Sequence, residues 1–411
     1  MRPPTLLRSL AVRNLRGYET LDIELGPGPQ LVWGPNAAGK TTLVEAIVLL
    51  ALGRSHRTTT DLELIRWGAS FLRIEGVMAR PEGPTPASGM DTAVPAAAMT
   101  TTEGSAMDAA SRPMTLGTTL EVALQAGGRK KIQVNGVPRR AAALSGHLRT
   151  VLFAPEEMLL VVGPPALRRA ALDALAAPHD QSYAANAASF GRAVQQRNSL
   201  LRAIREGEST REQLRLWDEP FLAAGAAIVG ARLHLLEMLA EPLAAAHREI
   251  APTEERLTVG YSSNAAPLPG ESPRDALARR LRETSEKEIW NGTTLVGPHR
   301  DDLVFSLGER DMATFSSRGQ QRTAILALKL AELDLLTALD GRAPLLLLDD
   351  VFSELDPARR AHLAGRIAEL PQALITATEP SDIDAELRHR ARLWRVVPAG
   401  DDGARIVGCE A

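Results

Sequence analysis

The chain has 411 residues, 45 % of them hydrophobic and 24 % charged. This is the make-up of a folded globular protein, not of a disordered or fibrous one, and the length implies two domains or one carrying a large insertion. A formal charge of −3 provides no global field to draw the molecule onto nucleic acid or an anionic membrane, so any such contact has to be local.

One cysteine, Cys409, excludes an intramolecular disulfide and a cysteine-built zinc site and suits a reducing cytosol. The N-terminus lacks the apolar core of a signal peptide, and the longest clean apolar run, residues 46–52, is far short of the ~20 residues of a membrane helix. The expectation is a soluble cytoplasmic protein with no membrane partner.

Short alternating apolar segments between residues 6 and 33, broken by Gly26-Pro27-Gly28-Pro29, read as strands feeding a glycine-rich turn. Residues 40–52, rich in Leu, Ala, Ile and Val and free of Pro and Gly, read as a buried helix. Strand-like segments at 71–77 and 118–124 flank residues 80–114, whose Pro, Ala, Thr, Met and Gly composition predicts a disordered surface insertion. The second strand continues through Gly127-Gly128 to 131–134 as a hairpin ending at Asn135-Gly136. From 165 to about 290 strand signals nearly vanish, and residues such as Leu222, Ala226, Val229, Leu233 and Leu236 recur at helical spacing, which predicts packed antiparallel helices. Helix then alternates again with apolar strand at 322–338, 344–348, 357–370 and 373–377. The predicted architecture is one α/β head, a mixed sheet with helices, whose halves at 1–165 and 291–411 are separated by a helical arm at 166–290.

The sharpest motif is Gly34-Pro35-Asn36-Ala37-Ala38-Gly39-Lys40-Thr41, a GxxxxGK[ST] loop placed after a strand and before a helix. Its glycines let backbone amides wrap an anion, and the helix N-terminus adds its dipole. Lys40 supplies a point charge at the β- and γ-phosphates of ATP, and the Thr41 hydroxyl is a candidate Mg²⁺ ligand. The partner element is Leu345-Leu346-Leu347-Leu348-Asp349-Asp350: an apolar run suited to a central parallel strand, with carboxylates at the end where α/β sheets bind ligands. Asp349 is the natural Mg²⁺ carboxylate and Asp350 the candidate catalytic base or water-positioner. Lys40 and Asp349 lie 309 positions apart, which a compact kinase or small GTPase does not do without a long insertion. A third element, Ser316-Ser317-Arg318-Gly319-Gln320-Gln321-Arg322, opens a helix; it either merely caps that helix or forms a second anion surface, which suggests a nucleotide held between two chains.

With these three loops and the helices between them, the chain resembles the P-loop ABC-type ATPase heads of the SMC group. It is similar more closely to the RecF family of bacterial recombination mediators, through SHRTTTDLELIRWG from Ser55, FAPEEMLLVVGPPALRRAALD from Phe153, QRNSLL from Gln196, WDEPFLAAGAAIVGAR from Trp217, LVGPHRDDL from Leu295, FSSRGQQRTAILALKLAELDLL from Phe315 and LLLLDDVFSELDPARR from Leu345. The resemblance implies a weak ATPase that dimerises when ATP is bound and binds double-stranded or gapped DNA in that state. It further implies a protein that works with RecO- and RecR-type mediators in recombinase loading, replication restart and the SOS response. By that likeness Ser317, Gly319 and Gln320 meet the γ-phosphate held by the other protomer's Gly34-to-Thr41 loop, with Thr42 also binding nucleotide, Asp356 belongs to a loop facing the opposing site, and Glu156 sits in a sensor segment. Three departures are Ala37, where the family usually has Gly, Thr42, where Asn is frequent, and the segment 80–114, longer and more degenerate than the family pattern leads one to expect. A transporter nucleotide-binding subunit and a chromosome-organising scaffold share the loops and stand as alternatives.

Evidence for DNA in the residues themselves is slight. Arg129-Lys130-Lys131, Arg139-Arg140, Arg168-Arg169, Arg192, Arg197, Arg202 and Arg205 are local basic groups, each expected as a solvated face before a phosphate contact. An aromatic content of 4 % disfavours base stacking, so contacts to the phosphate backbone are expected. His56, His179 and His299 lack metal-ligand spacing and are expected to be hydrogen-bonded structural residues.

Overall fold

The computed structural model describes residues 6–78, 117–177, 180, 182–399 and 403–409; the segment 80–114, expected to be a disordered insertion, and His179 lie outside them. β1 (Leu7–Leu15), β2 (Tyr18–Glu24) and β3 (Gly28–Trp33) lead into α1 (Lys40–Leu52), followed by β4 (Phe71–Met78), β5 (Thr118–Gln125), β6 (Lys131–Val134), β7 (Val137–Pro138) and β8 (Thr150–Phe153). Next come α2 (Leu159–Val162), α3 (Pro165–Ala176), α4 (Tyr183–Arg205), α5 (Arg215–Ile250), β9 (Leu257–Ser262) and α6 (Pro273–Asn291). The chain then forms β10 (Asp302–Leu307), β11 (Arg310–Asp311), α7 (Met312–Phe315), α8 (Arg318–Asp340), β12 (Leu345–Asp349), α9 (Pro357–Ala368), β13 (Gln372–Ala377), α10 (Ala385–Arg390), β14 (Arg392–Pro398) and β15 (Ala404–Cys409).

Two six-stranded sheets organise the head. One, in the order β2-β1-β4-β5-β6-β7, is antiparallel; the other runs β15-β14-β3-β13-β12-β8 and is parallel except where β14 meets β15. Helix α1 touches β1, β4 and β5 of the first sheet and β12 and β13 of the second. Enclosed on both sides, it buries residues all round, and its apolar residues are accordingly spread over every face. β12 and β13 are buried along their whole lengths, as expected of central parallel strands.

The arm is built on α5, which packs against α4, α6, α8 and β9. By length and hydropathy alone α5 is apolar enough to cross a membrane; here it is the central helix of the arm. The stretch read as purely helical also contains β9, antiparallel to β10. Only Leu257 of its six residues is fully buried, so its alternation is faint.

The LVGPHRDDL stretch ties the arm to the head. Arg232 on α5 donates to the Pro298 carbonyl at 2.8 Å and to Asp173 Oδ1 at 2.7 Å. Asp301 accepts from Tyr261 Oη at 2.7 Å, Ser263 Oγ at 3.1 Å and the Asn264 amide at 3.0 Å. Arg168 forms a two-pronged pair with Asp302, at 2.7 and 2.8 Å. These charged-group hydrogen bonds are fully paired, which is how a protein tolerates ions away from water.

Two arginines weighed as solvated or phosphate-binding are therefore neither. Arg168 is buried against Asp302, and Arg197, with a side chain 3 % exposed, pairs with Asp218 and with Glu288 at 2.8 Å. Arg129, Lys131, Arg139, Arg140, Arg192, Arg202 and Arg205 are exposed.

Candidate nucleotide-binding site

The phosphate loop of residues 34–41 joins β3 to α1. β13 lies between β3 and β12 in parallel register, so the loop and Asp349-Asp350 emerge at the same carboxyl edge two strands apart, roughly 10 Å. That gap suits a polyphosphate and its metal.

Glycine is required at both ends of the loop. A Cβ on Gly34 would lie 2.2 Å from the Val396 carbonyl oxygen, and one on Gly39, at φ 109°, would lie 2.9 Å from Ala404 Cβ and 3.1 Å from Tyr18 Oη. Tyr18 also donates to the Gly39 carbonyl at 3.2 Å. Ala37, in contrast, adopts φ 64°, a left-handed conformation that costs a residue with a Cβ about 1–2 kcal/mol. The departure from glycine at this position is thus a point of stored backbone strain.

Lys40 is nearly buried and folded back on its own loop, Nζ donating to the carbonyls of Gly34 at 2.7 Å and Pro35 at 3.0 Å. Burial lowers its pKa, and the charges of Asp350, Asp349 and Asp382 oppose that shift. Asp349 is 3 % exposed, and its Oδ1 accepts from Thr376 Oγ1 at 2.7 Å. The same hydroxyl accepts from the Asp350 amide at 2.9 Å, so one side chain of β13 fixes both carboxylate residues. Asp350 is held at φ 53°, and its Oδ1 is shielded from solvent with no hydrogen-bond partner. Strained backbone and an unsatisfied buried oxygen are features that persist where function needs them. Burial raises the Asp350 pKa against the lowering pull of Lys40.

The third element sits at the start of α8. Ser317 caps the helix, its Oγ accepting from the Gln320 amide at 3.3 Å while Gln320 Oε1 accepts from the Ser317 amide at 3.0 Å. Ser317 and Gly319 are exposed. In the isolated chain, then, the capping arrangement is the one formed, and it leaves the first turn of a 23-residue helix open to an outside anion. A cavity of about 300 Å³ joins Arg318 and Gln321 to Asp349, Asp350, Pro155 and Leu355. Asp356 caps α9, accepting from the amides of Ala358 and Arg359 at 3.1 Å each.

Glu156 and Glu157 follow β8 in the wall of this region. Glu157 pairs with the buried Lys329 of α8 at 2.5 Å, tethering the segment to the helix that Ser317 opens. Glu156 is exposed. His56 is not the hydrogen-bonded residue expected: both ring nitrogens are shielded and without a partner. His299 has only a 3.4 Å contact from Nε2 to the Thr294 carbonyl, its Nδ1 is unpartnered, and burial takes its pKa down to about 4.

Thr376, Tyr18 and Asp382 are the residues that motif reading passed over. Thr376 is the one hydroxyl in the apolar run of β13, a local signal that its importance could have been drawn from. Tyr18 and Asp382 reach the site only through the fold.

The comparisons with known proteins give the family. A family model described as an AAA domain matches residues 9–76. The DNA replication and repair protein RecF of Roseiflexus castenholzii is 39 % identical over 407 residues, covering 94 % of this chain and 97 % of its own. That of Chloroflexus aggregans is 37 % identical, covering 98 % and 100 %. The chain belongs to the RecF family. Among solved structures, that of the recombination mediator protein RecF with ATP in the RecFOR pathway superposes on this RecF-family chain with a TM-score of 0.83 at 28 % identity, covering 99 % of both chains. An Smc head domain from Pyrococcus furiosus, at 13 % identity and a TM-score of 0.53, shares the fold. RecF membership leaves the transporter-subunit and scaffold alternatives without support.

Proposed function

We propose that this RecF-family protein is an ATP-driven switch of DNA repair and replication: a soluble cytoplasmic ATPase that dimerises around two nucleotides and binds DNA in that state. The observation that carries it is the shared edge of β3, β13 and β12, where Thr376 holds Asp349 and Asp350 opposite the Lys40 loop.

On this reading the amides of residues 34–41 and the α1 N-terminus cradle the β-phosphate, flanked by Thr42. Lys40 exchanges two loop carbonyls for phosphate oxygens. A hydroxyl and a carboxylate, Thr41 and Asp349, are the hard-oxygen donors that would hold Mg²⁺. When bound, that ion would neutralise charge between the β- and γ-phosphates. Asp350 orients the attacking water and draws on its proton; a carboxylate raised in pKa by burial is the better acceptor near neutral pH. Ser317, Gly319 and Gln320 of one protomer close on the γ-phosphate bound by the other, with Asp356 near the seam. Residues 166–290 form the arm inserted between the halves of the head. DNA contacts fall on exposed arginines and on phosphate, and RecO- and RecR-type mediators are the partners in gap repair, recombinase loading and the SOS response.

The test is light scattering and DNA binding, each with and without a non-hydrolysable ATP analogue and at two salt concentrations. A dimer and tighter DNA binding appearing only with nucleotide, the DNA affinity falling steeply with salt, are expected. A chain that remains monomeric at saturating analogue sinks the proposal.

A further inference from the structure

His56 and Glu156 come from two segments that face the same carboxylates. The flanks of His56 are pinned to the Lys40 helix: Ser55 Oγ donates to Glu45 Oε1 at 2.5 Å and Arg57 to Glu45 Oε2 at 3.4 Å. Glu45 lies four residues after Thr41 on α1, hence on the same helix face. The Ser55-to-Arg57 segment is thereby docked on the metal side of the loop. The His56 ring between these anchors spends neither its donor nor its acceptor, an omission that ordinarily costs about 1–3 kcal/mol and that calls for an explanation, of which a further partner is one.

Three carboxylates are near enough for their charges to act on this ring: Glu45, Glu156 and Asp349. Glu45 is engaged by Arg16 and Ser55, and Asp349 by Thr376. The Glu156 side chain forms no hydrogen bond or ion pair among the described residues, and it stands on a short turn beside the 300 Å³ cavity that Pro155 and Met158 line.

We propose that His56 is a positioning residue of the ATP site: with nucleotide bound, the exposed Glu156 side chain turns toward the ring, whose N–H donates to the carboxylate and fixes it beside Asp349. The reading rests on the proposed ATPase activity and gives Glu156 a partner at the moment of turnover. His56 itself touches neither phosphate nor the attacking water, and no proton changes hands.

The experiment is a double-mutant cycle in the full chain: His56→Leu, Glu156→Ala and the pair, with kcat, KM for ATP and the thermal midpoint of the nucleotide-free protein. His56→Gln, which keeps an N–H donor, is the conservative control. Because the ring has no partner before nucleotide binds, His56→Leu is expected to leave the nucleotide-free midpoint unchanged or higher. Each single variant lowers kcat about tenfold at a KM within about threefold of the original, as expected for loss of an interaction made only during turnover. The double variant is no slower than either single one, and His56→Gln recovers most of the rate.

Multiplying defects in the double variant, a normal rate in His56→Leu, or losses in kcat that track losses in midpoint for both Leu and Gln would each overturn the proposal. An unmutated protein that does not hydrolyse ATP overturns the underlying reading and this one together, whereas those variant outcomes in an active enzyme remove this one alone.

Discussion

Thr376 Oγ1 donates to Asp349 Oδ1 at 2.7 Å, and through the same oxygen it receives the Asp350 amide at 2.9 Å. Replacing this hydroxyl by the isosteric Thr376→Val keeps the packing of β13 and frees both neighbours. Partners of a metal-binding carboxylate are typically worth 10- to 100-fold in metal affinity or activity. The expected result is a rise of that order in the Mg²⁺ concentration needed for half-maximal ATP hydrolysis, read by titration, with a stability loss of about 1–2 kcal/mol.

The capping role of Ser317 and its proposed phosphate-binding role separate under substitution. Asp is as good an N-cap as Ser, so Ser317→Asp preserves α8 while opposing a phosphate with negative charge; Ser317→Ala costs about 1 kcal/mol of cap. Light scattering with a non-hydrolysable analogue is expected to show Ser317→Asp monomeric despite an unchanged melting temperature. Dimerisation of that variant at the normal nucleotide concentration would assign Ser317 to capping alone.

His299 makes stability depend on pH in a defined direction. Its folded-state pKa is about 4, below the ~6.5 of an unfolded chain, so the unfolded state binds the extra proton across that interval. Stability from this residue is present above pH 6.5 and lost as pH falls toward 4, by up to about 3 kcal/mol. Urea unfolding of the original protein and of His299→Gln at pH 7.5 and 4.5 checks this: the difference between them should shift toward the variant on acidification.

Ala37 at φ 64° predicts that Ala37→Gly stabilises the nucleotide-free protein. Relief of about 1–2 kcal/mol of strain exceeds the roughly 0.4–1 kcal/mol by which glycine stabilises the unfolded chain. A net gain of up to about 1 kcal/mol is expected in urea unfolding, and a loss would mean the loop is not left-handed at this residue.

What the sequence made readable depends on how local each interaction is. The phosphate loop and α1 were legible because glycine, lysine and a Pro-free apolar stretch stand side by side; β12 was legible because a strand covered on both faces is apolar at every position. β14 and β15 escaped notice: charged residues interrupt them, and β15 is an edge strand. Val396 and Ala404 nevertheless wall the loop at Gly34 and Gly39. The orphaned nitrogens of His56 and the double role of Thr376, which lies 26 and 27 positions from Asp350 and Asp349, depend on neighbours from other elements, which no pattern in one segment encodes. Ser317 was legible as a cap or as an anion site, and the isolated chain forms the cap.

In the antiparallel pair β4 and β5, Met78 stands directly opposite Thr118. Thirty-nine residues therefore leave and rejoin the head at one rung of the ladder. Because this pairing fixes both flanks of the segment at one rung, it is a natural port for engineering. A tight turn, a fluorescent reporter or an affinity handle spliced between Met78 and Thr118 keeps the register of the sheet against α1.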